Sequence, residues 1–436
     1  MENFDVSKSS ISAEDMLDGV DFINEFVGEL AEFPNRLTGT ENETACARSI
    51  RNRLHDESSV KTRLEAYYAY PLLGRGALPF LGIWYMVSLV LYFVSFAGGR
   101  VAGALLTALA LAVFVSGSVA IISLFLGRST LAGLLNKKPS YNVVSEFSKS
   151  DAGAQDKRTF VIVDNHDAKL GGFFGDFGVL RKLTILIAPI SAGLFVLFCI
   201  LKMAIGTESV STITVFTILP AIFGLLGAFA TFTHYSPFVR HARQNNGVAT
   251  AIAMATYAYF VEHDDKIPDD AKIVYVSLGG ENSAHGGSQA FVRSHPELAG
   301  AQVLCVQDVL SGDLKIAECD ALRKIAFSTP LVSVVRSSAH EQGIEISTVP
   351  HDTIRQKFAS LHGYTSDAFA NSGMATATIT ANAPTDRVLD RNDVEKLFSL
   401  TVGALEKLMA EEKKPPKQEE IVAKSTDMEI KDAVGK

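Results

Sequence analysis

Four short polar clusters hold most of the side chains that could do chemistry: Asp164-Asn165-His166-Asp167, Gly279 to Ser288 with Glu281 and His285, Asp308 to Asp313, and Gly363 to Phe369. Carboxylates and imidazoles are the groups that bind divalent metals and move protons near neutral pH. His166 beside Asp167 is a candidate pair for one metal ion, although neighbouring residues of an extended chain point to opposite faces. His285 and His241 read as loop histidines, which are usually solvated. The run Gly171-Gly172-Phe173-Phe174-Gly175 is not followed by a nucleotide-binding pattern and reads as a turn into an apolar segment. The four cysteines, Cys46, Cys199, Cys305 and Cys319, form no CxxC pair and no zinc-knuckle spacing, which predicts reduced thiols.

Three of the clusters follow a segment that reads as a buried strand. Thr159 to Val163 is a continuous apolar run that ends in the first cluster, and Lys272 to Leu278 precedes the second. Ala301 to Val306 precedes the third, while Ala375 to Thr380 follows the fourth; Tyr141 to Phe147 adds another strand. Helices are predicted over Ala13 to Glu32, with Met16, Val20, Ile23, Val27 and Leu30 at helical spacing, and over the apolar Gly247 to Val261. A further helix follows Thr40, with Glu43 three residues on as a capping box. Alternation of this kind predicts an open, largely parallel sheet covered on both faces, with ligands bound beyond the carboxyl ends of its strands.

At these positions the sequence resembles the zinc aminopeptidases with two co-catalytic metals, a family that includes transferrin-receptor and glutamate-carboxypeptidase-like members. Phe33-Pro-Asn-Arg-Leu-Thr-Gly-Thr-Glu41 resembles its N-terminal signature, and Gly280-Glu281-Asn282 through Gly287-Ser288 its Glu-Glu-x-Gly-Leu-x-Gly-Ser loop. Gln307-Asp308-Val309, Phe369 through Gly373-Met374-Ala375, and Arg243 through Gly247-Val-Ala take the places of three further motifs, in order. The resemblance implies a mixed, largely parallel α/β sheet of the aminopeptidase type. It also implies water activated between two zinc ions, with a glutamate as general base.

Glu281 falls at the general-base position. The implied metal positions are Asn165 or His166, Asp167, Arg243, Asn282, Asp308 and Ser366. Keeping Asp167 in register puts Asn165 in the first ligand position; keeping His166 leaves its Asp one residue short. Each zinc needs about four donors, mostly carboxylate or imidazole. Asn and Ser are poor donors and Arg is none, so no metal cofactor is expected, and zinc only if the chain is active. Arg243 is expected to pair with Asp308 or Glu281 in place of the metals. A competing reading is an active membrane metallo-aminopeptidase with a shifted set of His166, Asp167, Glu281, His285 and Asp308.

Mean hydropathy is +0.19, and the apolar surplus lies in four uncharged runs: Leu78 to Ala97, Val101 to Gly127, Leu183 to Leu201 and Ser211 to Thr233. Each matches the roughly 20 residues that cross a bilayer as a helix. Gly98-Gly99-Arg100 allows only a tight turn and Lys202 to Val210 is short, so the runs form two hairpins. Arg75, Arg128, Lys137, Lys138, Arg181, Lys182, Arg240 and Arg243 flank the spans on one side, against Arg100 and Lys202 at the tips. By the positive-inside rule the soluble mass is cytoplasmic. The spans show no intramembrane acid or cation pair, which speaks against an ion pathway.

The expected organisation is an aminopeptidase-like domain in three parts (1–75, 129–182 and 234–410), two transmembrane hairpins (76–128 and 183–233), and a charged, disordered tail (411–436). With net charge −8, no nucleic-acid partner is expected. The expected partners are the lipid bilayer, a peptide or protein ligand in the cleft, and a second copy of the chain. The favoured function is a membrane-anchored, catalytically inactive pseudo-peptidase that binds or assembles.

Overall fold

The computed structural model describes residues 4–58, 60–125, 136–149, 157–168, 178–205, 210–233, 246–283, 285–309, 312–351, 363–381 and 390–411. Arg243, His241, Arg128, Gly127, the Gly171–Gly175 run and the charged tail beyond Glu411 lie outside them.

The amino-terminal helix α1 (Ala13–Ala31) starts where the Ser12 hydroxyl accepts from Asp15 N at 3.1 Å, and it buries Met16, Val20, Ile23, Phe26, Val27 and Leu30. Helix α2 (Glu41–Ser58) follows Thr40, whose hydroxyl accepts from Glu43 N at 3.3 Å. The expected capping box is only half made. The Glu43 carboxylate accepts from Gly39 N (2.5 Å) and reaches across to Gly280 N (2.7 Å) and Ser140 Oγ (2.7 Å). A long-range demand for a carboxylate has outcompeted the local one.

Strand β1 (Thr62–Ala69) leads directly into helix α3 (Pro71–Val94), which turns back as α4 (Arg100–Phe125). Strands β2 (Lys138–Phe147) and β3 (Arg158–Asn165) precede the second helical pair, α5 (Gly178–Ile205) and α6 (Val210–Thr233). Helix α7 (Gly247–Glu262), strand β4 (Ala271–Leu278), helix α8 (Gly286–Ser294) and strand β5 (Gln302–Val309) come next. Short strands β6 (Lys315–Ala317), β7 (Cys319–Asp320) and β8 (Ile325–Ala326) lead to α9 (Thr329–Glu341) and β9 (Ser347–Thr348). Helix α10 (Ser366–Asn371), strand β10 (Ala375–Ala381) and helix α11 (Arg391–Ala410) complete the described chain.

Eight strands form one mixed sheet in the order β1-β2-β4-β3-β5-β10-β6-β9. Its centre, β4-β3-β5-β10, is parallel, and β1-β2, β2-β4 and β10-β6 pair antiparallel. One face packs on α1, α2, α7, α9 and α11 through residues such as Phe26, Phe160, Tyr257, Ile379 and Phe398. The other is covered by Phe291 of α8 and Phe369 of α10 over Val161, Val276 and Cys305. A sheet covered on both faces needs near-continuous apolar strands, and β3 meets that with Phe160 to Val163 all buried. The antiparallel edge strand β1 was not foreseen, because Arg63 and Glu65 interrupt its apolar pattern.

Helices α4, α5 and α6 are long and apolar enough to cross a membrane over Arg100–Ala120, Leu186–Ile205 and Ile213–Thr231; the described apolar stretch of α3, Phe80–Val94, is shorter. The four helices pack as one bundle, α3 against α4 and α6, and α5 against α6 and α4. Glycines let them approach: a Cβ at Gly117 would lie 2.1 Å from Trp84, and one at Gly224 would lie 2.5 Å from Leu89. Tyr85 and Tyr92 donate across the bundle to Ser191 O (3.0 Å) and Phe216 O (2.9 Å). Ile83, Val87, Leu105, Val119 and Leu225 remain on the outside, as helices in contact with lipid tails would have them.

Two expectations about the hairpins need correction. The first run ends with α3 at Val94, before Ala97, and α5 continues through Leu201 to Ile205. Lys202 is not a residue of an open tip: it is 5% exposed and donates to Tyr92 O at 3.3 Å and to Ser95 Oγ. Its ammonium also lies 3.3 Å from the Phe96 ring centroid. The carbonyl end of α3 and an aromatic face both favour a cation there.

Candidate functional site

The ends of β3 and β4 define the site. Beyond β3 the chain bends at Asp167 and is pinned by His166 N to Leu278 O (3.0 Å) and Ala168 N to Arg36 O (2.7 Å). Arg36, 1% exposed, donates from Nε to His166 O (2.8 Å) and from Nη1 to Leu30 O (2.9 Å). Asn165 and Asp167 share one side, with Asn165 Nδ2 3.4 Å from Asp167 Oδ1. His166 turns into the core, 0% exposed. Its Nδ1 is 3.0 Å from Ser277 Oγ, which in turn donates to Asp164 Oδ1 at 2.7 Å. Burial, with the Arg36 charge, pulls the His166 imidazole down to about 3, so it is neutral. Asn165, not His166, therefore stands beside Asp167.

Asp167 is fully enclosed. Its Oδ2 accepts from Asn282 N (2.8 Å) and Thr38 Oγ1 (3.2 Å), and Asn282 Nδ2 returns a bond to Asp167 O (3.2 Å). Burial, together with the Glu281 charge, pushes the Asp167 carboxyl up to about 6. Glu43 lies beyond it, raised to about 7 by burial and by the Asp167 charge. Gly280 must be glycine: its φ is +55°, and a Cβ would sit 2.2 Å from Tyr67 Oη.

Glu281, 5% exposed, closes back on its own loop. Oε1 lies 2.7 Å from His285 Nδ1 and accepts from Ser288 Oγ at 2.9 Å, and Oε2 accepts from Ser288 N at 3.0 Å. The carboxylate thus caps α8 and holds a histidine. Burial works against the charge on His285, but the Glu281 carboxylate outweighs it and the imidazole is raised above its ordinary value. On the far side of the loop, Arg323 Nη1 binds Asp320 Oδ2 at 2.7 Å and approaches Asp367 Oδ2 at 3.8 Å. Burial, and then the Asp320 charge, pushes Asp367 up to about 7, while His285 pulls it down.

Asp308 adopts a left-handed conformation, φ +53°, at the end of β5. Its N–H donates to Asn246 Oδ1 (2.5 Å), and Asn246 Nδ2 donates to Asn165 O (2.9 Å). One neutral amide at the start of α7 thereby ties the ends of β3 and β5. Ser366, 0% exposed, lies at the start of α10 with its hydroxyl 2.6 Å from Thr378 Oγ1.

The structure brings Asn165, Asp167, Asn282 and Glu281 together, and links Asp308 to them through Asn246. It takes His166 away. The donors present do not fit a two-zinc centre: Asn165, Asn282 and Ser366 are committed to hydrogen bonds, and neutral amides and hydroxyls are weak zinc ligands. The shifted set is not assembled, because His166 faces the core and His285 is spent on Glu281. Among the described residues no three His, Cys, Asp or Glu side chains converge as metal ligands. Glu43 and Asp367 belong to the site although the sequence marks the first only as a helix cap and the second only as part of the Gly363 to Phe369 cluster.

Both helical hairpins are inserted at this same end of the sheet's strands. Ala69, where β1 ends, pairs with Lys138, where β2 begins. Antiparallel pairing of β2 with β4 puts that end beyond the carboxyl end of β4, where a Cβ on Gly279 would meet Tyr141 O at 2.5 Å. The second hairpin follows β3 and precedes Asn246.

No family model matches the chain, and no curated protein matches it. Among solved structures it is similar to a zinc aminopeptidase from Bacillus subtilis at 10% identity and TM-score 0.47, covering 92% of this chain and 96% of that one. An aminopeptidase from Aneurinibacillus sp. strain AM-1 matches at 10% identity and TM-score 0.47, covering 88% and 93%. A glutaminyl cyclase from Fimbriiglobus ruber matches at 9% identity and TM-score 0.45, covering 89% and 95%.

Proposed function

We propose that this chain is a membrane-anchored, aminopeptidase-like protein whose cleft does not hydrolyse peptides and serves binding or assembly instead. The observation that carries this reading is the state of Glu281. A general base needs an oxygen aimed at the water it deprotonates, and here both oxygens are held by Ser288 and His285. The replacement of donors at Asn165, Asn282 and Ser366 points the same way. The hairpins are inserted at the end of the strands that carries the cleft, so the cleft mouth is read as facing the bilayer surface. Its partner would then be a peptide or protein segment presented at that surface.

The test is an aminopeptidase assay on the purified full-length protein, with a panel of aminoacyl substrates and with zinc added. No hydrolysis is expected, with Glu281→Gln indistinguishable from the parent chain. Zinc-dependent turnover abolished by Glu281→Gln would overturn the proposal.

A further inference from the structure

Where the end of α8 meets β1, a histidine is held between two carboxylates that belong to different elements. His295 ends α8, with its N–H bonded to Phe291 O at 3.0 Å and its ring 4.5 Å from the Phe291 ring. Its Nε2 lies 2.9 and 3.0 Å from the two oxygens of Glu65 on β1. Its Nδ1 lies 2.7 Å from Glu297 Oε1 in the turn after α8. A neutral imidazole has one N–H, whereas contacts to carboxylates at both nitrogens need two donors, which only the imidazolium supplies.

The surrounding charges point the same way. Arg63 on β1 binds Glu65 (2.7 Å) and Glu146 on β2 (2.6 Å), and Lys272 on β4 binds Glu146 (2.8 Å). Arg293 on α8 reaches Gln289 at 3.4 Å. Glu65, Glu146 and Glu297 are thus balanced by Arg63, Lys272 and His295 only while His295 carries its proton. Hydrogen bonding to Glu65 is the main cause raising the imidazole above its ordinary value; burial opposes it, and hydrogen bonding to Glu297 adds to it. The His295 side chain is only 13% exposed.

We propose that His295 is a proton-operated clasp that fastens α8, and with it the Glu281–Ser288 loop, to the strand that runs into the membrane bundle. Strand β1 continues into α3 at Pro71, and its Tyr67 hydroxyl donates to Gly279 O at 2.7 Å, so the joined elements are the bundle root and the cleft loop. The clasp regulates the order of that loop and stands whether or not the cleft hydrolyses anything.

Hydrogen exchange of the full-length protein in nanodiscs, corrected for intrinsic rates, tests it. Amides of 286–294 and 62–69 should open about tenfold more often at pH 8 than at pH 6, the order expected for loss of one charge-assisted hydrogen bond. Glu297→Gln, at an exposed carboxylate, should shrink that ratio, and His295→Gln should abolish it. A ratio near one in the parent chain, or an unchanged ratio in His295→Gln, would overturn the proposal. If His295→Gln does not fold, nuclear magnetic resonance titration of His295 in the parent chain decides: a midpoint at or below that of free histidine contradicts the clasp.

Discussion

Asp164 is 1% exposed, with Oδ1 bonded to Ser277, and burial pushes its carboxyl from 3.8 up to about 6. The folded chain keeps a proton there that the unfolded chain releases, so this group's contribution to stability falls as pH rises from about 4 to about 6. Glu43, Asp167 and Asp367 act with the same sign over windows reaching about 7, 6 and 7. His166 acts oppositely: neutral when folded, it costs stability as pH falls from 6.5 towards 3. Asp164→Asn should therefore gain on the parent chain by roughly 1–3 kcal/mol between pH 4.5 and pH 7.5. Melting temperatures across that range check it, and a pH-independent difference between the two chains contradicts it. The sequence displayed the motif residues Glu281, Asn282, Asp167 and Asp308, because their neighbours repeat a familiar order. It could not show that Glu281 is occupied, since that depends on where the His285 and Ser288 side chains turn. The choice between Asn165 and His166 likewise waited on which of them shared a side with Asp167.

At the scale of elements, apolar pattern revealed the central strands and α1, α2 and α7 to within a few residues. Strand β1 stayed hidden because edge strands carry charge, here Arg63 and Glu65, and edge charge guards against wrong pairing. The hairpins were legible as uncharged runs, but their packing into one bundle was not, because it depends on small residues facing large ones. Gly117 is such a position, with Trp84 against it and Trp84 Nε1 donating to Val113 O at 2.8 Å. Gly117→Leu should displace the indole and cost roughly 1–3 kcal/mol. Trp84 is the single tryptophan of the chain, so its fluorescence during thermal unfolding in detergent reports directly on this contact. An unshifted emission maximum with an unchanged transition would contradict the packing. Lys202 teaches the converse: a charge at the end of an apolar run reads as a tip residue, yet α3 offers it carbonyl oxygen and aromatic faces.

For the molecule as a whole, the sheet is built across both insertions: β1 pairs with β2 although α3 and α4 lie between them in sequence, and β3 pairs with β4 across α5 and α6. Both helical pairs are therefore inserted at one end of the sheet's strands. If the soluble part is cytoplasmic, as the positive-inside rule predicts, an impermeant thiol reagent applied to intact cells should label Ala97→Cys at the first hairpin tip and spare Lys149→Cys on the soluble side; the reverse pattern would invert the orientation. On the function proposed above, hydrogen bonds and an ion pair hold this end of the sheet together without metal ions, with Asn246 tying β3 to β5 and His285 answering Glu281. The most direct test of that central claim is zinc stoichiometry, by elemental analysis of full-length protein incubated with excess zinc and then desalted. The account predicts well under one zinc per chain, unchanged in Glu281→Gln and Asp308→Asn. Two zincs per chain, lost on substituting Asp167 or Asp308, would contradict it.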